Sequence, residues 1–376
     1  MKKVLFIIDS LQTGGAEKSI LEIAQKLKFI QPLVCVLYSD KDDLRDDFMK
    51  AGVEIIDLNI NRKNKFWLLF GKLSFEKICK QQQPDIVHAH LFKSELIARI
   101  SVLPKKTKLI GSFVSDTYSV ERYKSQTFKR NLKLNFFLIL DRLTINNNAY
   151  ITSITQTIAE NICKKLNYPT KKVIVIYRGR NINNYIECDY NFKKNSVFEF
   201  IIVGRLFESK GYSELIDAVN ILKNFTKDSF KISIVGEGAD ELQFKNRIIK
   251  KKINSFFSFL GTRTDVPILL QKANCFVLPS HYEGQGGALV EAMLTGLPII
   301  CSDIAVFREQ VQSDVSAKLF QLKSPEDLAM QMLWMMNHYA EAKLMGSEAR
   351  KTALEKFDID KIAQQTEAFY LKVIFS

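Results

Sequence analysis

The 376-residue sequence is poor in the side chains that build metal centres and disulfide frameworks. Its four histidines form no ligand cluster, and its six cysteines include no Cys-x-x-Cys pair. Several of the cysteines lie within apolar runs, which is typical of buried, reduced thiols. The composition therefore favours neither a zinc site nor a disulfide-stapled fold.

Long apolar runs are also missing, since no stretch approaches the roughly 20 residues of a transmembrane helix. Met1-Lys2-Lys3 followed by VLFII imitates the start of a signal peptide. The apolar run is only five residues long, however, and it ends at Asp9 without a cleavage-type site. We therefore expect a first β-strand here and a cytoplasmic protein.

Acidic residues are outnumbered, with 41 Asp and Glu against 54 Lys and Arg, which gives a net charge of +13. Nucleic acid, an anionic membrane surface or a diphosphate ligand could each account for this excess. Hydrophobic residues make up 47% of the chain, enough at this length to build two cores. The sequence therefore predicts two domains and an anionic partner.

Short apolar strands alternate with helical patterns along the whole chain. The predicted strands are 4–8, 32–38, 53–58, 85–90, 108–114, 150–154 and 172–177 in the first half, and 198–204, 231–236, 255–261, 275–279 and 298–302 in the second. Continuous apolar strands between helices are typical of parallel sheets covered on both faces. The pattern predicts an α/β protein with two Rossmann-like, doubly wound domains that bind ligands at the carboxyl ends of their strands.

The segment 274–303 predicts a strand, a glycine-rich loop, a helix over 288–294 and a second strand. Glycines before a helix leave free N–H groups at its positive end, which suits a phosphate. Glu283 in the loop and Glu291 on the helix lie eight residues apart, and carboxylates there can accept hydrogen bonds from sugar hydroxyls. The alternative is an ordinary crossover with two solvated glutamates.

Two cations follow the strand that ends at Gly204. Arg205 offers a planar fork and Lys210 a mobile point charge, a combination suited to a pyrophosphate. The alternative is that Arg205 and Lys210 are solvated side chains that bind no ligand.

Two other glycine motifs follow predicted strands. Gly14-Gly15 can bring backbone close to a bound anion at a helix start, although a plain tight turn is the alternative. Gly236-Glu237-Gly238 lacks the third glycine of a dinucleotide fingerprint, because Glu241 stands there. We therefore predict no nicotinamide cofactor.

His88 and His90 end a predicted strand and point to the same side, since alternate residues of a strand share a face. The two side chains could form a metal pair, but no third metal ligand is placed near them. The alternative is a hydrogen-bonded structural histidine at the end of the strand, for His88 above all.

Two stretches carry much of the basic charge. In 61–80, six cations surround the sequence FWLLF, and in 123–140, four cations accompany LNFFLIL. Cations beside aromatic residues and leucines suit an anionic lipid surface. A core-facing helix with a solvated basic face is the alternative. No stacking aromatics on an open sheet indicate RNA binding.

Together these segments resemble the retaining glycosyltransferases of family 4, which have the two-domain GT-B fold with two Rossmann-like domains facing across a cleft. The resemblance rests first on a Glu-x7-Glu segment, whose matching residues are Glu283, Gly284, Gly286, Glu291, Ala292, Met293, Gly296, Pro298 and Asp303. Residues 203–211 match a second family segment, Gly-Arg-Leu…Lys-Gly. Two positions depart from the family: Gln285 replaces an aromatic residue, and Arg178-Gly179 replaces Asn-Gly.

The resemblance implies a set of site residues. Its catalytic residues are Glu283, His90, Arg205 and Lys210. Its donor-binding residues are Gly14, Gly15, Arg205, Lys210, Thr262, Arg263, Glu283, Gly286, Gly287, Ala288 and Glu291. Arg205 and Lys210 would stabilise the leaving phosphate, Glu283 would orient the sugar and Glu291 would hold the ribose. His90 would lie near the donor sugar or the acceptor, and Thr262 and Arg263 would border the base.

The resemblance also implies domain ranges: 1–180 for the acceptor, 181–357 for the nucleotide sugar, and a helix at 358–376 that crosses back to the first domain. We expect no cofactor and no metal. Asp40-Lys41-Asp42 and Asp358-Ile359-Asp360, which imitate an Asp-x-Asp metal motif, are interpreted as surface or capping carboxylates.

The implied reaction is metal-independent hexosyl transfer, with retention, from a nucleotide-diphosphate sugar such as a UDP-sugar to a hydroxyl. The acceptor would be a lipid-linked glycan of bacterial capsule, lipopolysaccharide or O-antigen synthesis, at the inner face of the cytoplasmic membrane. A non-catalytic nucleotide-sugar-binding subunit and a GT-B epimerase or phosphorylase are the alternatives, and nucleic acid is not an expected partner.

Overall fold

The computed structural model describes residues 1–40, 42–124, 126–188 and 197–375. The chain divides into two compact units, Met1–Gly179 with Ile359–Ser376, and Arg180–Asp358. Both junctions lie one residue from those of the predicted domain ranges. Residues 189–196, in the predicted range of the second domain, and Lys41 of the Asp40-Lys41-Asp42 motif lie outside the described residues.

The first unit is built on a seven-stranded sheet in which every strand pair is parallel. Its order is β3-β2-β1-β4-β5-β6-β7. The strands are β1 (Lys2–Ile8), β2 (Ile30–Val36), β3 (Glu54–Asp57), β4 (Ile86–Ala89), β5 (Lys108–Phe113), β6 (Tyr150–Ser153) and β7 (Val173–Val175). The side chains of β1 alternate between two cores, with Val4, Phe6 and Ile8 in one and Leu5 and Ile7 in the other.

Helices cover both faces of this sheet. They are α1 (Gly15–Ala24), α2 (Arg45–Lys50), α3 (Trp67–Gln82), α4 (Phe92–Ile100), α5 (Val120–Lys124), α6 (Phe128–Thr144) and α7 (Gln156–Leu166). Helices α1 and α2 supply one core, and α3 and α4 supply the other. Helices α6 and α7 close a third apolar cluster beside β5 and β6.

The second unit has a six-stranded parallel sheet of order β10-β9-β8-β11-β12-β13. The strands are β8 (Phe198–Val203), β9 (Phe230–Val235), β10 (Phe257–Phe259), β11 (Cys275–Leu278), β12 (Ile299–Ser302) and β13 (Lys318–Phe320). The helices are α8 (Tyr212–Leu222), α9 (Glu241–Lys250), α10 (Val266–Lys272), α11 (Gly287–Leu294), α12 (Ala305–Arg308), α13 (Pro325–Asn337) and α14 (Tyr339–Lys356).

Helix α15 (Ile359–Phe375) ends the chain and belongs to the first unit. It inserts Ile362, Phe369, Tyr370 and Val373 into the core that faces α1. Glu367 also accepts hydrogen bonds from the backbone N–H groups of residues 28 and 29. The last helix therefore completes the first unit.

Both sheets reverse their strand order at one internal point, between β1 and β4 in the first and between β8 and β11 in the second. Such a switch point leaves a crevice outside the carboxyl ends of the two strands, where doubly wound folds bind ligands. Every strand predicted from the sequence is present, and the predicted fold class is confirmed. Strand β13 was missed, because it has only three residues and only Phe320 is buried.

Candidate functional site

A cavity of about 170 Å³ lies at the switch point of the second unit. Strand β8 leads into Arg205, and β11 leads into the loop that carries Glu283. The predicted residues that line this cavity are Arg205, Lys210, Glu283, Gly286, Gly287 and Ala288. The fold therefore gathers two cations, one carboxylate and the start of α11 around one space.

The start of α11 depends on glycine. Gly286, the N-cap residue, has φ +79°, a left-handed conformation that is unfavourable for residues with a Cβ atom. A Cβ there would lie 2.9 Å from the Phe307 ring, and one on Gly287 would lie 2.5 Å from Nη2 of Arg180. Since the first N–H groups of a helix have no acceptor within it, this end of α11 can bind an anion.

Lys210 and Glu283 form an ion pair on the cavity wall. Lys210 Nζ lies 2.5 Å from Glu283 Oε1, and Ser280 Oγ donates to the same oxygen at 3.0 Å. Ser280 is fully buried, while the lysine and glutamate side chains keep 20% and 14% of their surface exposed. The pair is thus held in place and still open to a ligand.

Arg205 is more exposed than Lys210. Its guanidinium lies 5.3 Å from the centre of the Phe207 ring, and within the described part of the chain it forms no ion pair. A flat cation resting on an aromatic ring is oriented without being neutralised. Arg205 is therefore available to an incoming anion.

Glu291 does not line this cavity; it pairs with Arg180. Arg180 Nε donates to Glu291 Oε1 at 3.0 Å, and both side chains are largely buried. Few other side chains of α11 could reach a ligand, since five of its residues are buried: Leu289, Val290, Ala292, Met293 and Leu294. Sequence analysis missed Arg180, although the unusual Arg178-Gly179-Arg180 segment was a signal that this position is special.

Thr262 and Arg263 lie beside β10 and away from the cavity lining. The Thr262 N–H donates to Glu237 Oε1 at 3.3 Å. Arg263 makes a two-pronged contact with Asp265, at 2.8 and 2.7 Å. Their predicted place at the base of a nucleotide stays a prediction.

At the switch point of the first unit, Gly14 is the N-cap of α1 and Gly15 its first residue. A Cβ on Gly15 would lie 2.7 Å from Nη1 of Arg178. An arginine therefore lies at the N-terminal end of α1, as another does at α11.

Burial raises the pKa of Asp9, although hydrogen bonds from the N–H and Oγ of Ser94 oppose this effect.

His88, in β4, and His90, directly after it, differ in their partners. His88 is buried, and its ring nitrogens contact the hydroxyls of Tyr370, Thr152 and Ser112 at 2.6, 3.1 and 2.8 Å. Burial lowers its pKa to about 3, so the ring is neutral. The structural role weighed for His88 accounts for all of these contacts.

His90 lies 4.2 Å from His88 between ring centres, and its Nε2 is buried without a hydrogen-bond partner among the residues described. Burial, and then His88 and Arg178, hold the pKa of His90 well below its usual value. It also borders a small cavity with Arg178. His90 is therefore the histidine with a free polar atom.

No group of three His, Cys, Asp or Glu side chains that could hold a metal occurs in the described ranges. Asp40 pairs with Arg62, Asp42 with Arg45, and Asp360 with Lys26. These aspartates of the two Asp-x-Asp motifs are thus engaged on the surface of the first unit.

Two family models match the chain in succession. The model "Glycosyltransferase Family 4" matches residues 13–184, and "Glycosyl transferases group 1" matches residues 189–352. Together they cover both units.

Among the curated relatives is the capsular polysaccharide biosynthesis glycosyltransferase CapH of Staphylococcus aureus, 29% identical over 81% of this chain and 82% of CapH. Another is the UDP-Gal:alpha-D-GlcNAc-diphosphoundecaprenol alpha-1,3-galactosyltransferase of Escherichia coli, 24% identical over 94% of this chain and 92% of the relative. A third, from Campylobacter jejuni, is N,N'-diacetylbacillosaminyl-diphospho-undecaprenol alpha-1,3-N-acetylgalactosaminyltransferase, 25% identical over 92% and 95% of the two chains.

Solved structures share the fold. HepE of Anabaena in complex with UDP and glucose has a TM-score of 0.81 at 19% identity, over 98% of this chain and 99% of HepE. A glycosyltransferase from Rickettsia africae has a TM-score of 0.81 at 18% identity, over 99% and 98% of the two chains.

Proposed function

Because the chain is a glycosyltransferase of family 4 with the GT-B fold, we propose that it transfers a hexose from a nucleotide-diphosphate sugar to a hydroxyl with anomeric retention. The cavity of the second unit carries this proposal. It places an unneutralised arginine, an amide-lined helix start and a lysine–glutamate pair around one space. Of the donor classes, a UDP-sugar is favoured, since HepE is described with UDP and with UDP-glucose.

Charge on the departing diphosphate is the main catalytic problem. Arg205 and the first N–H groups of α11 would face this charge, and Lys210 would turn from Glu283 toward it. Groups that are already positioned stabilise developing charge without reorganising. This arrangement supplies the positive charge from the protein, so we propose that the reaction needs no metal and no cofactor.

Glu283 has a different task. Once Lys210 turns to the phosphate, the carboxylate can accept hydrogen bonds from the hydroxyls of the transferred sugar. Glycosyl transfer passes through an oxocarbenium-like state, whose positive charge a nearby carboxylate also stabilises. The leaving phosphate would take the proton of the acceptor hydroxyl on the same face of the sugar, which retains the anomeric configuration.

Remaining site residues take the roles that the family implies. Glu291, fixed by Arg180, would hold the ribose, and Thr262 and Arg263 would border the base. Gly14 and Gly15 at the start of α1 would face the donor diphosphate, and His90 would use its free Nε2 near the donor sugar or the acceptor.

For the acceptor we propose a lipid-linked glycan of bacterial surface polysaccharide assembly. Two relatives carry a diphosphoundecaprenol acceptor in their names, and a third belongs to capsular polysaccharide biosynthesis. In the part of the chain that the structure describes, no helix has the length and apolar character to span a bilayer. We propose peripheral contact with the inner face of the cytoplasmic membrane through the basic first unit.

A transfer assay tests the proposal. Purified protein is incubated with a panel of nucleotide sugars and a lipid-diphosphate sugar, and the product linkage is assigned by NMR. Transfer with the donor's anomeric configuration supports the proposal, and inversion contradicts it. Donor binding without transfer to any acceptor would instead support a non-catalytic subunit, and release of a free sugar phosphate would support a phosphorylase.

A further inference from the structure

Two loops carry the charged residues of the second-unit cavity, and they pack against each other. The first, residues 204–211, follows β8, and the second, residues 279–286, follows β11. A Cβ on Gly211 would lie only 2.0 Å from the carbonyl oxygen of Pro279, and the φ of Gly211, +74°, also favours glycine. The two loops are therefore in direct contact, in addition to the ion pair already described.

His281 joins the two loops through its backbone and through its side chain. Its N–H donates to the carbonyl oxygen of Ser209, the residue before Lys210, at 2.9 Å. Its ring nitrogen Nε2 lies 2.9 Å from Oε1 of Glu214, in the first turn of α8. His281 thus contacts the chain on both sides of Lys210, and it lies two residues before Glu283.

The side-chain contact is a hydrogen bond to a buried carboxylate. The side chains of His281 and Glu214 keep only 11% and 13% of their surface exposed. Burial raises the pKa of Glu214, but the hydrogen bond from His281 and the other interactions of the carboxylate bring the pKa below its usual value. An ionised carboxylate only accepts hydrogen bonds, so Nε2 of His281 carries a proton. Since Glu214 Oε2 is buried without a partner among the residues described, this carboxylate depends on the bond at Oε1.

Each loop also has anchors of its own. In the first, the Glu208 N–H donates to Asp240 Oδ2 at 2.8 Å, and Ser213 Oγ donates to Glu208 Oε2 at 2.8 Å. In the second, Ser302 Oγ donates to the Ser280 carbonyl at 2.5 Å. These bonds hold each loop on its own side, whereas the two bonds of the histidine connect one side to the other.

Neither His281 nor Glu214 lines the cavity, so any effect on a ligand must be indirect. In the proposed function, Lys210 leaves Glu283 and turns to a phosphate. Groups that stabilise a reaction must be held within about 0.5 Å of the productive geometry by the residues that support them. The turn of the lysine is accurate only if the backbone on both sides of it stays in place.

We propose that His281 and Glu214 are positioning residues, which hold the backbone around Lys210 and Glu283 while the lysine turns to a bound diphosphate. The inference rests on the proposed function, because it concerns the same donor site. It makes the contribution of the lysine depend on a hydrogen bond outside the cavity. Loss of that bond should therefore remove the effect of Lys210 on the phosphate.

UDP affinity is measured first, because it does not depend on transfer. Calorimetric titration compares the wild type, Lys210→Ala, His281→Leu and the double variant. We expect each single change to weaken UDP binding by ~3–10-fold, as the loss of one phosphate contact predicts. The double variant should bind UDP no more weakly than Lys210→Ala. Additive losses would overturn the proposal, since His281 would then act independently of the lysine, and so would unchanged affinity in either single variant.

A conservative variant tests the hydrogen bond itself. His281→Gln keeps an N–H donor on a side chain that can reach Glu214, and it should bind UDP within ~2-fold of the wild type. An affinity as low as that of His281→Leu would overturn the role of the bond. Glu214→Leu removes the acceptor and should match His281→Leu. Should His281→Leu fail to fold, Glu214→Leu carries the same comparison with Lys210→Ala.

A matched control on the same helix separates positioning from a general loss of stability. Asp217→Leu removes a carboxylate of α8 that pairs with Arg247 and Lys251, on residues outside both loops. Urea unfolding gives the stability of this variant and of Glu214→Leu. We expect Asp217→Leu to keep wild-type UDP affinity. Equal losses of affinity in Asp217→Leu and Glu214→Leu would show that binding follows stability, and would overturn the proposal.

Kinetics distinguish this inference from the proposed function. In the transfer reaction, His281→Leu should lower kcat by ~10-fold or more with a smaller change in the KM of the donor, because a misplaced group loses contacts made in the transition state. Unchanged kcat would overturn the positioning role and leave the proposed function in place. Coupled losses of UDP affinity, without transfer by the wild type to any acceptor, would support the positioning role and count against the proposed function alone.

Discussion

Lys210 and Glu283 hold each other across the wall of one cavity, with Lys210 Nζ 2.5 Å from Glu283 Oε1. Lys210 follows β8 and Glu283 follows β11, the two strands at the switch point of the second sheet. The pair thus keeps a cation and an anion ready beside each other, one suited to a phosphate and the other to sugar hydroxyls.

Replacing Lys210 should impair turnover more than binding. We expect Lys210→Ala to lower kcat by ~100-fold or more, the usual cost of losing one charge-stabilising donor. Steady-state kinetics with both substrates measure the effect. Lys245→Ala, which breaks an exposed ion pair with Glu241 on α9, is the matched control and should retain normal kcat. A Lys210→Ala enzyme with normal kcat would remove the lysine from the leaving-group site.

Arg205 should show the same preference for the transition state. Arg205→Ala is expected to lower kcat by ~100-fold with a smaller effect on the dissociation constant of the donor. Arg247→Ala, which removes a partly exposed arginine of α9 that pairs with Asp217 and lies outside the proposed donor site, is the comparison in the same assay. Equal effects of the two changes on kcat would contradict a special role for Arg205.

Glu291 and Arg180 should act as one unit in donor binding. Because Arg180 Nε fixes Glu291 at 3.0 Å, Glu291→Gln and Arg180→Ala should each weaken UDP binding, by ~10-fold for a charge-assisted contact. The double variant should be hardly worse than either single one, since contacting residues are not additive. Calorimetric titration with UDP measures all three. Fully additive losses would show that the residues bind UDP independently.

The conformation of Gly286 should be essential to the helix start. Gly286→Ala places a Cβ on a residue with φ +79°, only 2.9 Å from Phe307. We expect a loss of ~1–2 kcal/mol in unfolding free energy, together with weaker UDP binding as the amides of α11 shift. Gly52→Ala is the control, because Gly52 also has positive φ (+72°) but no atom within 4 Å of the added Cβ. Equal loss of UDP affinity in both variants would contradict the role of the α11 start.

Acid should destabilise the first unit through His88. Burial lowers the pKa of His88 to about 3 in the folded protein, below the ~6.5 of an unfolded histidine. As pH falls below ~6.5, His88 binds a proton in the unfolded chain but not in the folded chain. Stability should therefore decrease by about 1.4 kcal/mol per pH unit from this residue. Urea unfolding of His88→Gln between pH 7 and 5 should show a correspondingly shallower slope, whereas His338→Gln, at an exposed position, should keep the wild-type slope.

Local patterns predicted the fold well. Apolar runs between helical segments located every strand of the two sheets except β13. Glycines and charged residues after β8 and β11 located the cavity of the second unit. The Lys210–Glu283 pair follows from these local patterns once the strand order is known.

Long-range contacts could not be predicted in this way. Arg180 reaches Glu291 across 111 residues, and Tyr370 reaches His88 across 282. These contacts distinguish the role of His88 from that of His90, and they identify Arg180 as the partner of Glu291. A cavity of about 490 Å³ in the first unit could not be predicted for the same reason, because its floor joins α4 to α6 through Arg99 and Asp141.

We propose that the cavity lined by Arg205, Lys210 and Glu283 holds the diphosphate of a nucleotide sugar. A crystal structure with a bound UDP-sugar would show whether it does. We expect phosphate oxygens about 3 Å from the Arg205 guanidinium and from the first amides of α11, with Lys210 turned from Glu283 toward them. A diphosphate bound elsewhere, with the Lys210–Glu283 pair unchanged, would contradict it.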